Sequence, residues 1–183
     1  IKETIIIIEL YLELMRHGSV FKMVVATAAL ENNTITTKTT VNDTGIYPRG
    51  HNPACWIYTS RHYGHGYLNV TEAIKKSCNY FFYELGYKMG IDPVIKYAKS
   101  YGLGIKTGIE LSGESKGIVD LKDYCKETTG QEWQFGDTLS AVIGQSYNSY
   151  TPIQIARYTS MLANGGKSVD VTLIKSIIDS DGN

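Results

Sequence analysis

The sequence predicts an α+β domain in which helices dominate and strand material lies toward the two ends. Three observations carry this. Apolar patterns of helical length, with caps, recur at Val20–Glu31, between Thr71 and Tyr101, and at Ile153–Asn164. A strand-length run, Val171–Ile178, leads into Asp179-Ser180-Asp181-Gly182-Asn183, a hairpin-turn signal. Ile5–Leu14 (IIIIELYLEL) is apolar but carries two glutamates. It falls short of the roughly 20 apolar residues of a membrane span and reads as a strand or buried segment.

Each element follows from local signals. The run from Val20 to Glu31 reads as a buried helix closed by Asn32-Asn33. Residues 33–65 are polar and turn-rich, with Asp43-Thr44-Gly45, Pro48, Gly50 and Pro53 breaking any period. Helical patterns resume at Thr71, pass through Asn79–Leu85, and restart at Asp92-Pro93, a cap followed by proline at the first helical position. Residues 102–140 hold glycines and scattered charges and read as a loop region. Thr151-Pro152-Ile153-Gln154 spells a capping box, and the helix it opens closes at Gly165-Gly166. The turn at Asp179–Asn183 announces a partner strand that does not follow, so the domain reads as truncated.

At 183 residues the chain is one domain with room for a core. Eighteen basic residues balance eighteen acidic ones, which gives no reason to expect nucleic acid or an anionic membrane as partner. Three cysteines are too few for a disulfide scaffold and leave the redox compartment open. No secretory signal is visible. If the protein acts outside the cell, its anchor lies upstream.

The segment HGSVFKMVVATAAL places Ser19 and Lys22 one helical turn apart on one face. A serine hydroxyl is a poor nucleophile until a base takes its proton. A lysine in apolar surroundings loses its charge more readily and suits that task. The helix N-terminus favours a developing oxyanion. The residues alone also allow a lysine that snorkels from a half-buried helix. Asp43, Cys55, His65 and Cys78 offer O, S, N and S donors suited to tetrahedral zinc, with His51 and His62 as nearby alternates and Cys125 unrelated. Their spacing is not a tight Cys-x-x-Cys. Buried free thiols beside a loop histidine, or a Cys55–Cys78 disulfide, read the same residues differently.

GSVFKMVVATAALE resembles the penicillin-binding protein transpeptidases, which share Ser-x-x-Lys with serine β-lactamases. Ser77-Cys78-Asn79, inside IKKSCNYFFYELGYKMGID, supplies the family's Ser-x-Asn motif. YGHGYLNVTEAI, YGLGIKTGIELSGE and GQSYNSYTPIQIARYTSMLANGG extend the similarity over Gly18–Gly166. The spacing and flanks look like the monofunctional class B enzymes of the PBP2 type. Two further matches of letters are set aside. Lys106-Thr107-Gly108 lies in LGIKTGIEL, a loop block, and Ser146-Tyr147-Asn148 in the GQSY block. The catalytic Lys-Thr-Gly is expected downstream of Asn183, so the 183 residues alone leave the active site incomplete.

The resemblance implies a penicillin-binding/β-lactamase-like transpeptidase fold, incomplete, with a helical lobe and part of an antiparallel sheet. Residues 18–166 form the family-like core and 167–183 a strand and turn. Residues 1–17 are divergent, and His17 is assigned no role. Ser19 is then the nucleophile toward D-Ala-D-Ala stem peptides or β-lactams, and Lys22 its base. Ser77 relays a proton to the leaving amine, and Asn79 orients Lys22 and the substrate amide. One oxyanion donor is the Ser19 N–H. The PBP2-type likeness also implies a structural zinc held by Asp43, Cys55, His65 and Cys78. Implied partners are peptidoglycan and, for the full-length protein, a membrane-embedded glycosyltransferase at the extracytoplasmic face of a bacterial membrane. Other readings are a β-lactam sensor or degenerate penicillin-binding module, and a serine β-lactamase-like hydrolase. The class B blocks argue against the last, and sensors would resemble class D β-lactamases.

Overall fold

A computed structural model describes residues 10–175. The chain enters through a 3-10 turn, Gly18–Phe21, that runs directly into α1, Lys22–Glu31. Val24, Val25, Ala26, Ala28 and Ala29 are all buried, so α1 is apolar all round and serves as the central helix. Its alanines let neighbours approach closely. α5 (Asp92–Ser100), α4 (Asn79–Met89) and α3 (Val70–Lys75) pack around it. α7 (Phe135–Ala141) covers the far side of α4. Phe81, Phe82, Leu85, Leu103, Leu139, Val142 and Tyr158 complete the core.

The polar stretch 33–65 is more ordered than its composition suggests. Val41–Asp43 (β1) pairs antiparallel with Gly66–Leu68 (β2), Asp43 opposite Gly66. Between them lies α2, Trp56–Arg61. Asn69 then caps α3 through a box with Glu72. α6, Leu121–Thr129, and α7 both fall where the sequence reads as loop. α6 is short and polar with Leu121 and Cys125 as buried anchors, too weak a period to register. α8, Pro152–Ala163, begins at the predicted capping box. Gln154 also donates from Nε2 to the carbonyls of Ile105 and Lys116, at 2.9 Å each, tying the 102–117 loop to α8.

Two expectations are corrected. Leu10 and Tyr11 are helical rather than extended, and residues 5–9 of that run lie outside the described residues. Residues 171–175 form no strand. Their backbone and that of the residues before them is taken up by side chains instead: Arg157 Nε donates to Val169 O at 3.0 Å, and Leu173 N to Glu110 Oε2 at 3.0 Å. Residues 176–178 and the turn at Asp179–Asn183 lie outside the described residues. Further antiparallel contacts among the described residues are single bridges, Met15 with Tyr150, Ile46 with Ala54 and Ile118 with Ser149. No helix among the described residues is long and apolar enough to cross a membrane.

Candidate active site

The four residues singled out around the two motifs meet at one point. Lys22, only 2% exposed, donates from Nζ to Ser77 O (2.8 Å), Ser77 Oγ (2.9 Å) and Asn79 Oδ1 (2.6 Å). Ser77 Oγ donates to Ser19 Oγ at 2.8 Å. Ser19 and Lys22 therefore communicate through Ser77, not by the direct contact their i, i+3 spacing suggests. The reason lies in the partners: all three Nζ hydrogen bonds of Lys22 go to Ser77 and Asn79, and Ser77 stands between Nζ and Ser19. Burial disfavours the ammonium and lowers the Lys22 pKa to about 8, against the opposing pull of the Cys55 and Cys78 thiols. A lysine poised there can take or return a proton near neutral pH.

Two backbone devices place the serines. Ser77 lies between α3 and α4 with φ +50°, a left-handed conformation that L-residues rarely adopt. Gly18 N donates to Gly144 O at 3.2 Å, and the Gly144 Cα faces the Gly18 carbonyl so closely that a Cβ would lie 1.9 Å from it. His17, to which the sequence assigns nothing, holds Tyr150 O at 2.8 Å through Nε2, so it straps the approach to Ser19. The open side is a cleft of about 350 Å³ lined by Gly18, Ser19, Trp56, Ser77, Asn79, Ile143 and Gln145. Trp56, Ile143, Gly144 and Gln145 escaped the sequence reading. Their only available signal was position, beside Cys55 and at or just before the GQSY block.

Asp43, Cys55, His65 and Cys78 form one cluster, their donor atoms all within 4.8 Å of one another. β1 supplies Asp43, the residue before β2 supplies His65, and Cys55 and Cys78 stand at the N-caps of α2 and α4. Cys55 Sγ lies 3.9 Å from Cys78 Sγ and 3.6 Å from His65 Nδ1. Asp43 Oδ2 lies 2.7 Å from His65 Nδ1 and accepts from Cys78 Sγ at 3.2 Å. A tetrahedral ion with bonds of about 2.0–2.3 Å needs edges of about 3.8 Å for S–S and 3.6 Å for S–N. The donor set fits such an ion with small adjustments. Burial alone would raise the Asp43 carboxyl, but bonds from His65, the Gly45 amide and Cys78 bring it below its ordinary value. The hydrogen bond with Cys78 lowers the Cys55 thiol, while the same pairing and burial push Cys78 up. A metal binds each sulfur as its thiolate; the Cys55 shift favours that form, and Cys78 would release its proton on binding.

The disulfide alternative is not realised. The cysteines are free, and 3.9 Å is far beyond an S–S bond of about 2.05 Å. His51 and His62 stand apart from the cluster, and Cys125 is buried against Thr129 and Gln131 O. Lys106-Thr107-Gly108 is structural. The Thr107 amide and hydroxyl donate to Glu114 Oε1 at 2.6 Å, and the Gly108 amide to Oε2 at 3.1 Å. Asn148 likewise braces a turn, donating to Ala141 O and Gln145 O.

The penicillin binding protein transpeptidase domain profile matches residues 13–183. Peptidoglycan D,D-transpeptidase MrdA of Haemophilus influenzae is 35% identical over 163 residues, which are 87% of this chain and 24% of that protein. Pseudomonas aeruginosa PBP2 in complex with WCK 5153 is similar with TM-score 0.84 and 32% identity, over 95% of this chain and 40% of the other. The complex between PBP2 and MreC from Helicobacter pylori gives 0.83 and 34%, over 90% and 30%. The chain thus spans about a quarter of the length of the H. influenzae relative.

Proposed function

This chain belongs to the penicillin-binding protein transpeptidase domain family, class B and PBP2-like, and from that premise we propose that it carries the acyl-transfer centre of a peptidoglycan D,D-transpeptidase. The observation that supports this best is the continuous path Ser19 Oγ–Ser77 Oγ–Lys22 Nζ–Asn79 Oδ1, with steps of 2.8, 2.9 and 2.6 Å. With Lys22 neutral, the Ser19 proton passes through Ser77 to Nζ as Oγ attacks the penultimate D-alanine carbonyl. The Ser19 N–H donates to the tetrahedral oxyanion. Collapse breaks the C–N bond. The Lys22 ammonium returns the proton through Ser77 to the leaving amine, and D-alanine departs. The ester on Ser19 is then attacked by an amine of a neighbouring stem, whose proton retraces the path and restores the Ser19 hydroxyl.

In this reading Asn79 keeps Lys22 aimed at Ser77 and hydrogen-bonds the substrate amide. The cluster of Asp43, Cys55, His65 and Cys78 would hold zinc, which with four protein ligands supplies structure and no open position for chemistry. It would tie the 33–69 segment to the Ser77–Asn79 motif. Residues 18–166 are the core of the domain, with 1–17 divergent and 167–183 leading onward. The whole protein would act at the extracytoplasmic face of a bacterial membrane, on peptidoglycan, beside a membrane-embedded glycosyltransferase, and β-lactams would acylate the same serine. Labelled penicillin tests the reading. Stoichiometric acylation with slow deacylation, and transfer to an added acceptor amine, support it. Rapid turnover would mean a hydrolase; acylation without transfer would mean a sensor or degenerate module.

A further inference from the structure

The turn that carries Ser77 is held at two consecutive carbonyls by side chains from distant parts of the chain. Its own amides fold back on α3: Lys76 N to Glu72 O (2.9 Å), Ser77 N to Ile74 O (3.0 Å) and Cys78 N to Ala73 O (2.9 Å). Those bonds leave the carbonyls of residues 76 and 77 pointing away. Lys22 Nζ donates to the Ser77 carbonyl at 2.8 Å, and Trp56 Nε1 donates to the Lys76 carbonyl at 3.1 Å. The grip matters because Ser77 sits at φ +50°, a conformation that a non-glycine residue leaves readily unless its surroundings over-determine it.

Trp56 is unusual in its own right. It is 46% exposed, although a tryptophan kept only for packing buries its ring. The ring lines the cleft with Ser19 and Ser77 and stands edge-on to His65, centroids 5.5 Å apart. The two grips also differ in kind. In the proposed reaction Lys22 exchanges a proton, whereas an indole N–H is a donor only and stays one throughout.

We propose that Trp56 is a positioning residue for Ser77: its indole N–H fixes the carbonyl before the strained serine, so that the Ser77 hydroxyl stays between Ser19 and Lys22 during proton transfer. The proposal rests on the transpeptidase reading. Trp56→Phe keeps the ring beside His65 and the cleft wall but removes the donor. Measured on the full protein with labelled penicillin, it should lower the acylation rate constant about tenfold. The dissociation constant of the pre-acylation complex and the zinc content should stay within twofold of wild type, and hydrogen exchange at the Ser77 amide should quicken. Trp56→His, which retains an N–H on a smaller ring, should recover part of the rate. Trp133→Phe, altering the tryptophan that bonds Thr138, should match wild type. A wild-type acylation rate in Trp56→Phe overturns the proposal. So does a rise in the dissociation constant alone, which would make Trp56 a cleft wall only, or a loss of zinc in parallel with rate, which would make it a support for His65. Wild-type protein that penicillin does not acylate would instead sink the transpeptidase reading, and this proposal with it.

Discussion

Replacing Gly144 by alanine perturbs Ser19 from behind without touching any group in the proton path. Gly144 is at φ +78°, where a Cβ costs about 1–2 kcal/mol on conformational grounds. That Cβ would also lie 1.9 Å from Gly18 O and 2.6 Å from Gly18 C, both backbone atoms that no rotamer change can move aside. Ordinary contact of about 3.5 Å requires the Gly18 peptide to retreat by roughly 1.6 Å. Ser19 follows directly on that peptide, and its Oγ meets Ser77 Oγ at 2.8 Å, so a shift of this size breaks the link. Misplacement of a reacting atom by about 1 Å costs on the order of 100-fold in rate. The expected result for Gly144→Ala is therefore acylation by labelled penicillin slowed about 100-fold, in stopped-flow measurements on protein that still unfolds cooperatively. Gly165→Ala is the control: φ is +80° there, with nothing within 4 Å of the new Cβ. It carries the same conformational penalty and should acylate at the wild-type rate. Gly144→Ala acylating within threefold of wild type, or Gly165→Ala losing as much, would refute the argument from close approach.

Three further outcomes are expected. In the proposed reaction the neutral amine of Lys22 is the base, and its pKa is lowered to about 8 by burial, so acylation should climb with pH below 8 and level off above it; a rate flat from pH 6 to 9 would contradict this. Cys78→Ser should cut zinc content several-fold by elemental analysis of protein purified without added metal, whereas Cys125→Ser should leave it unchanged; less than a tenth of an equivalent in the wild type would end the zinc proposal. Glu114→Gln removes the carboxylate that accepts from Thr107 and Gly108 and should cost about 1–3 kcal/mol of stability by denaturant titration with acylation unimpaired; a specific loss of acylation would mean that Lys106-Thr107-Gly108 serves the active site after all.

What could be read in advance was what depends on short-range chemistry. The Thr151 box, the apolar α1 and the Asn79 helix follow from caps and periods a few residues long, and the structure has them all. Ser19, Lys22, Ser77 and Asn79 were legible through the resemblance of their two short motifs to a family, and the structure brings the four side chains together. Elements whose order comes from tertiary partners were not legible. β1 and β2 are three residues each, too short for a sequence period, and pair with Asp43 and His65 meeting at one end. α6 depends on Leu121 and Cys125 finding the core. The stretch from 171 to 175 has the composition of a strand, but its neighbours offer it side chains such as Glu110 rather than a backbone edge. The path through Ser77 was hidden for a similar reason: a helical wheel cannot show that Lys22 Nζ is drawn to Ser77 and Asn79 from another helix junction.

The central claim is that Ser19 is the nucleophile and Lys22, acting through Ser77, its base. Mass spectrometry of peptides from the full protein after brief exposure to penicillin addresses it most directly. One penicilloyl adduct should map to Ser19, disappear in Ser19→Ala and form far more slowly in Lys22→Met. An adduct on another residue, or undiminished labelling of Ser19→Ala, would contradict the account.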